Sequence, residues 1–226
     1  METLPLYVYV VFALTVLVAI LLFYKATHYS KKFLTLIFIW LIFQSIISIL
    51  GFYNISNTIP PRFGLLIIPP LIITIIGFNT KRGKQFIDGL NIRTLAIFHV
   101  VRIPVELVLY WLFVHKTVPE LMTFEGRNFD IISGLTAPII FYFGFIRKKL
   151  NKVILLLWNF IGLALLFNIV FNAILSVPSE FQQFAFEQPN IAILQFPFVL
   201  LPSILVPFVL FSHLTSIRQL LNNKSI

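Results

Sequence analysis

The chain has 226 residues, of which 59% are hydrophobic and 11% are charged, and its formal net charge at pH 7 is +9. A soluble domain of this length could not bury so many apolar side chains, so the composition indicates an all-α integral membrane protein. The absence of cysteine excludes disulfides, iron–sulfur clusters and thiolate metal sites. Neither an H-E-x-x-H zinc pattern nor a glycine-rich phosphate loop occurs, and we expect no metal site and no cofactor.

Seven apolar runs follow one another along the chain, each of a length that suits a membrane-spanning helix. A helix needs about 20 mostly apolar residues to cross the hydrocarbon core. The connecting loops are short, so the runs predict a seven-transmembrane-helix bundle that forms a single domain, 1–226. In chain order, the predicted spans are 5–24, 33–53, 63–79, 94–115, 130–147, 153–176 and 191–215.

Basic residues collect in every second loop. Thirteen lysines and arginines follow predicted spans 1, 3, 5 and 7, and Asp88 is the single acidic residue among them. By the positive-inside rule, this pattern predicts an N-terminus outside the cell and a cytoplasmic C-terminus, in the cell (inner) membrane. Because the basic residues flank apolar runs in short loops, we expect the lipid bilayer to be the partner and expect no nucleic acid.

Faint parallels between spans 1–3 and spans 5–7 suggest an internal repeat. Trp40 aligns with Trp158, for example, and each follows a basic loop. Two parallel triplets on either side of a linker helix would give a 3+1+3 arrangement, which occurs in transporters. The alternative is a chance resemblance between apolar helices. The expected bounds are 5–90 and 128–220 for the repeats and 94–115 for the linker helix.

The fourth predicted span carries charged residues where hydrocarbon is expected. At 100° per residue, one face of this helix collects four polar side chains: His99, Arg102, Glu106 and Tyr110. Charges near the middle of a span cost about 2.5–3.5 kcal/mol each, so this face must point into the bundle or a wet cavity. We expect a substrate-binding site there, with Glu106 as the ligand-contacting carboxylate and Arg102 as its partner at four-residue spacing. The alternative is a structural ion pair.

Asn168 and Asn172 share a face of the sixth predicted span, one turn apart. Their amides would bind a ligand as further substrate-binding residues. Alternatively, they would join neighbouring helices by hydrogen bonds, as polar side chains commonly do within membranes.

The loop before the fifth predicted span contains Glu125, Arg127 and Asp130. These residues would form a gate or lid over the site. In the alternative interpretation the loop only packs on the bundle, and Asp130 caps the helix that follows it.

Prolines interrupt three predicted spans and remove backbone hydrogen-bond donors from them. Such breaks are tolerated within membranes where they line a cavity, and they predict a cavity or hinge rather than static kinks. The prolines concerned are Pro69, Pro70, Pro138, Pro197, Pro202 and Pro207.

Three function classes fit this pattern. The first is a membrane protein that binds and transports a small solute through the polar site on the fourth span. The second is an intramembrane enzyme or a lipid- or isoprenoid-binding protein. The third is a seven-helix sensor or membrane-complex subunit. A small-molecule ligand is expected, and a protein partner or homo-oligomer is compatible with each class.

Overall fold

The computed structural model describes residues 4–55 and 58–222, and its regular structure within these ranges is helical throughout. The α-helices are α1 Leu6–Ala26, α2 Lys31–Ile49, α3 Gly64–Asn79, α4 Lys81–Gly89, α5 Ile92–Phe98, α6 Arg102–Val114, α7 Ile131–Ile140, α8 Lys152–Leu175 and α9 Val206–Leu221. Short 3₁₀ turns cover Phe52–Asn54, His99–Val101, Glu120–Met122 and Ala192–Leu194, and π-helical segments cover Phe141–Ile146 and Leu201–Leu205. The expected all-α class is therefore confirmed.

Among the described residues, five helices are long and apolar enough to cross a membrane. They are Leu6–Ala26, Lys31–Ile49, Ile92–Val114, Lys152–Leu175 and Leu201–Leu221. α3 has 16 residues, and it forms a sixth span only together with α4, to which it is bent by 95°. α7 and the π segment after it make a shorter apolar helix, Ile131–Ile146. The count of seven spans stays a prediction.

The last helix differs most from its predicted bounds, 191–215. Its apolar part begins at Leu201 and continues to Leu221. The predicted end falls where polar residues become frequent, yet Thr215 and Gln219 are both buried. They are buried because α9 lies inside the bundle, packed against α3, α4, α5 and α8. The polar residues Thr215 and Gln219 therefore contact other helices of the bundle and do not mark the end of this helix.

α4 lies in a stretch that the sequence predicted to be a basic loop. The side chain of Thr80 caps its N-terminus, as threonine commonly does. Ile87 is fully buried on the side that faces α3 and α9. Gln219 of α9 donates hydrogen bonds to the carbonyls of Ile87 and Leu90, at 2.7 and 3.0 Å. α4 is therefore held against the bundle.

Basic residues collect at one end of the bundle, which we call the basic end. There the end of α1 contacts the start of α5: the backbone N–H of Asn91 donates a hydrogen bond to the Ala26 carbonyl at 2.9 Å. The end of α9 meets α4 through an ion pair between Arg218 Nε and Asp88 Oδ1 at 3.0 Å. The basic stretches after predicted spans 1, 3 and 7 thus meet in space.

The opposite end, which we call the loop end, is covered by residues 115–130 and 176–200. The two segments are joined, since the amide of Ile191 donates to the Thr117 carbonyl at 3.0 Å. Gln188 donates two further hydrogen bonds to carbonyls at the end of α6 and just beyond it. The long connections therefore close the bundle over its interior.

Tyr53 connects α2 with α3 at the loop end. Its hydroxyl donates to Gln44 Oε1 at 2.5 Å, and the Gln44 amide donates to the Leu65 carbonyl at 3.3 Å. Tyr53 is 1% exposed, and burial raises the pKa of its hydroxyl above the ordinary value of 10.0. The neutral hydroxyl is therefore a folding contact.

We expect Tyr53→Phe to lower the free energy of unfolding by about 1–3 kcal/mol at neutral pH, because Gln44 Oε1 is left without its donor. A folded-state pKa above the unfolded one stabilises the protein below pH 10.0, and this stability is lost as the pH rises beyond that value. The phenylalanine variant lacks this titration, so the difference between the two proteins should narrow at alkaline pH. Thermal unfolding in detergent across pH checks this, and a constant difference would contradict it.

Candidate functional site: a buried charged centre

The fourth span, Ile92–Val114, is a continuous helix that tightens where its charged residues lie. α5 ends at Phe98, a 3₁₀ turn covers His99–Val101, and α6 begins at Arg102. Pro104 lies in the first turn of α6, where its missing amide breaks no helical hydrogen bond. The 3₁₀ turn is enclosed by protein, and His99 and Arg102 are 0% and 2% exposed. The predicted polar face thus points into the bundle at these two residues.

Arg102 is paired with Asp130 at the start of α7. Arg102 Nε lies 2.8 Å from Asp130 Oδ2. The expected pair with Glu106 on the same helix is thus replaced by a pair between two helices. The capping role considered for Asp130 is also wrong, because its side chain makes no capping hydrogen bond. It turns inward because a buried guanidinium without a partner costs more than a lost helix cap.

Glu106 is bound instead by the loop before α7. Asn128 Nδ2 lies 2.7 Å from both carboxylate oxygens of Glu106 and donates to the Met122 carbonyl at 3.0 Å. Asn128 Oδ1 accepts a hydrogen bond from the Asp130 amide at 3.0 Å. If the Asn128 side-chain amide were turned over, its oxygen would face the Glu106 carboxylate and its NH₂ group would face the backbone N–H of Asp130, and neither contact could be a hydrogen bond. This one buried asparagine therefore fixes the loop to α6.

On its other side, Arg102 reaches α8 and α9. Its Nη1 lies 3.2 Å from His213 Nε2, and its Nη2 donates to the Gly162 carbonyl at 3.3 Å. His213 Nδ1 lies 2.9 Å from Asn159 Oδ1, while the Asn159 amide donates to the Leu155 carbonyl. This pattern assigns the hydrogen of His213 to Nδ1 and leaves Nε2 as the acceptor for Arg102. His213 is therefore neutral in this arrangement.

His99 extends the centre towards the basic end. Its ring stacks on His213, with centroids 3.9 Å apart and an angle of 22° between the ring planes. His99 Nε2 lies 3.2 Å from the hydroxyl of Ser212, which donates to the Leu95 carbonyl. Within the described ranges, His99 Nδ1 is buried without a hydrogen-bond partner. Since the Ser212 hydroxyl donates to Leu95, His99 Nε2 carries the ring hydrogen and Nδ1 is able to accept a hydrogen bond.

Two glycines let the helices approach closely enough to form these contacts. A Cβ at Gly134 of α7 would lie 2.9 Å from Ile103 Cγ1 and 3.3 Å from Arg102 Cβ. A Cβ at Gly162 of α8 would overlap the imidazole of His213. α7 and α8 therefore pack directly against the residues of the centre.

A cavity of about 70 Å³ adjoins the centre between α3, α6, α8 and α9. Arg102, Glu106 and Asp130 lie in its wall, which is otherwise apolar. A cavity of this size holds water molecules or a small chemical group. Asp130 Oδ1 has no hydrogen-bond partner among the described residues. Two carboxylates facing one guanidinium leave one negative charge in excess when all three ionise, so the arrangement suits uptake of a proton or a cationic group.

Tyr110 and the two asparagines of α8 lie outside this centre. Tyr110 stacks on Phe124, with ring centroids 5.2 Å apart. Asn168 donates to the Arg127 carbonyl at 2.7 Å, and the Asn172 amide donates to the Asn168 carbonyl at 2.9 Å. The contacts of Tyr110 and Asn168 join α6 and α8 to the loop, whereas the Asn172 contact lies within α8.

Two of the three predicted gate residues lie on the loop surface. Glu125 and Arg127 are exposed. The guanidinium of Arg127 lies 5.8 Å from the centroid of the Phe184 ring. A Cβ at Gly126, between them, would overlap the backbone of Glu120. The loop is therefore tightly folded over the centre, and only Asp130 of the three reaches inside.

Sequence reasoning did not include Asn128, Asn159 or His213 among the site residues. Each carried only a weak signal. Asn128 lies beside the predicted gate residues, Asn159 is one of several asparagines in its span, and His213 is an ionisable residue within a predicted span. Their contacts depend on helices that are distant in sequence. Among the described residues, no group of three or more histidines and carboxylates is placed to hold a metal ion.

The fold and the centre together define an all-helical protein with apolar helices of membrane-crossing length and a buried charged cluster. The chain belongs to the family described as Domain of unknown function (DUF8737), whose model matches residues 64–221. This match runs from α3 to the end of α9 and includes the whole charged centre. No curated protein and no solved structure matches the chain.

Proposed function

We propose that the protein binds a small solute at Arg102, Glu106 and Asp130 and transports it across the membrane. The observation that carries this proposal is a buried charged cluster at a 3₁₀ turn within an apolar helix, beside a small cavity. Ionisable residues within membrane spans commonly mark solute or proton pathways.

The charge of the centre favours a solute with a cationic group, or a proton carried together with the solute. Asp130 is paired with Arg102. Among the described residues, the hydrogen bonds of the Glu106 carboxylate come from the neutral amide of Asn128, so the excess negative charge is least compensated there. In this proposal, Glu106 is the coupling group, and Arg102 keeps the second carboxylate in place.

Irregular segments occur in the helices that form the centre, and they favour a bundle whose helices can bend. The 3₁₀ turn His99–Val101 lies within it, and the π segments Phe141–Ile146 and Leu201–Leu205 lie in the neighbouring helices. Such π segments are frequent at functional sites. In this proposal, the helices bend at these segments and the loop of Glu125 and Arg127 opens as a gate at the loop end.

The proposed topology has seven spans in the cell (inner) membrane, with the basic end in the cytoplasm. The clustering of basic side chains at one end of the bundle supports this orientation. Lys224 also follows the last span but lies outside the described residues. The 3+1+3 repeat remains a proposal, and the packing of the triplets differs: α8 lies along α9, whereas α2 and α3 enclose a cavity.

Two other classes remain as alternatives. A larger aromatic cavity on the other side of α9 favours a lipid- or isoprenoid-binding protein or an intramembrane enzyme. A sensor or membrane-complex subunit would need a protein partner or a second copy of the chain. A protein that co-purifies in fixed stoichiometry would favour this last class.

Glu106→Gln should abolish transport, because it keeps the side-chain volume but removes the titrating carboxylate. One of the two contacts with Asn128 Nδ2 then joins two donors, so thermal unfolding is measured first to establish that the variant is folded. We would reconstitute the wild type and this variant into proteoliposomes and record currents on addition of amines, amino acids and sugars at several pH values. Glu125→Gln is the matched control, because Glu125 is an exposed carboxylate on the loop nearby. Currents in the wild type and Glu125→Gln, but not in Glu106→Gln, would support the proposal. Equal currents in all three would refute it.

A further inference from the structure

A second cavity, of about 480 Å³, lies in the half of the bundle nearer the basic end. It is lined by α1, α2, α3, α4 and the start of α9, and it shares no lining residue with the cavity at the charged centre. Its volume falls within the range of small-molecule and cofactor pockets. Its walls are mostly apolar, with aromatic rings from α1, α2, α4 and α9 and the three prolines Pro69, Pro70 and Pro207.

Specific contacts join the walls of this cavity. Trp40 of α2 donates a hydrogen bond to the Ser203 carbonyl in the π segment before α9, at 3.0 Å. Phe23 of α1 stacks on Phe208 of α9, with centroids 4.2 Å apart. Phe33 is tilted against the same ring, with centroids 6.1 Å apart. Contacts between aromatic side chains of different helices therefore fix the shape of the cavity.

One basic side chain lies at the edge of the cavity. Lys32 and Ser30, at the start of α2, are part of the wall. α4 forms another edge through Phe86 and Ile87, whereas its basic residues do not line the cavity. An apolar interior thus adjoins a cationic group at the end of the bundle where a membrane surface would lie.

We propose that this cavity binds the hydrocarbon chain of an anionic lipid, with the lipid phosphate at Lys32. Apolar and aromatic walls exclude a polar solute from the interior, because its polar groups would find no hydrogen-bond partners. The positive charge of Lys32 favours a negatively charged headgroup. A diacyl phospholipid and an isoprenyl phosphate share this chemistry.

Trp40 lies in the cavity wall and provides a direct readout. We would reconstitute the protein in phosphatidylcholine nanodiscs and dope in phosphatidylglycerol with brominated chains, which quench tryptophan fluorescence on contact. Specific binding should give quenching that saturates at a low mole fraction and is lost in Trp40→Phe. Quenching that rises in proportion to the mole fraction would show only bulk bilayer contact and overturn the proposal, as would equal quenching by brominated phosphatidylcholine.

Two further variants test Lys32 and the walls of the cavity. Lys32→Glu should weaken binding about fivefold or more, and Lys31→Glu is its matched control, since Lys31 does not line the cavity. Thr74→Phe, which places a ring in the cavity, should abolish the saturable quenching. Equal effects of the two lysine variants, or unchanged quenching in Thr74→Phe, would overturn the proposal.

Competition distinguishes the two sources of the lipid. Unlabelled farnesyl phosphate that relieves quenching at a lower mole fraction than unlabelled phosphatidylglycerol would assign the cavity to isoprenyl phosphates. The reverse order would assign it to phospholipids. Both results are independent of transport through Glu106, so failure of either proposal leaves the other testable.

Discussion

Replacing Arg102 with methionine should destabilise the protein by about 3–5 kcal/mol, the range seen when one partner of a buried ion pair is removed. Arg102 and Asp130 have side chains that are 2% and 9% exposed, so the remaining carboxylate would have little access to water. The substitution also removes the contacts of the guanidinium with His213 and Gly162. Unfolding in mixed micelles with increasing dodecyl sulfate measures the change.

Arg218→Met is the matched control, because Arg218 forms an ion pair with Asp88 in which both side chains are about a quarter exposed. Such exposed pairs contribute about 0–1 kcal/mol. The double variant Arg102→Met with Asp130→Asn should recover part of the loss, since a buried amide costs less than an unpaired carboxylate. If Arg102→Met lowered the free energy of unfolding no more than Arg218→Met, the buried pair would not be the contact that holds α6 to α7.

Gly162→Ala is expected to cost about 1–3 kcal/mol, as additions to a well-packed interior typically do. The new methyl group would overlap the ring of His213, which is held between Arg102 and Asn159. Because the ring is fixed on both sides, it cannot turn away without breaking a hydrogen bond. The gap between α8 and α9 must widen instead. Thermal unfolding in detergent measures this loss.

Gly89→Ala serves as the control, since a Cβ at that position meets no atom within 4 Å. We expect its stability to match the wild type or exceed it slightly. In a His213→Ala background, Gly162→Ala should cost much less than in the wild type, because the overlapping ring is gone. Additive losses in the double variant would contradict the close contact between Gly162 and His213.

Local patterns in the sequence predicted the helical class and most of the long helices. They failed where local and tertiary signals differ. The predicted end of the second span at 53 lies beyond the true end of α2 at Ile49, because Gly51 adopts a left-handed φ of 76° and stops the helix. The basic stretch that forms α4 was predicted to be a loop. Its few apolar residues, such as Ile87, become a packing face only against α3 and α9.

The sequence by itself determined that the chain is helical, that its apolar runs suit a membrane, and that Arg102 and Glu106 lie within the fourth span. These properties depend on composition and on a period of 3.6 residues, which neighbouring residues specify. Only the tertiary structure decided which partners these charges have. Asp130 and Glu106 are both carboxylates that can pair with Arg102. Gly134 permits α7 to approach closely, and the guanidinium therefore pairs with Asp130. Asn128, Asn159 and His213 join the centre for the same reason, because hydrogen bonds between distant segments depend on how helices pack rather than on any local pattern.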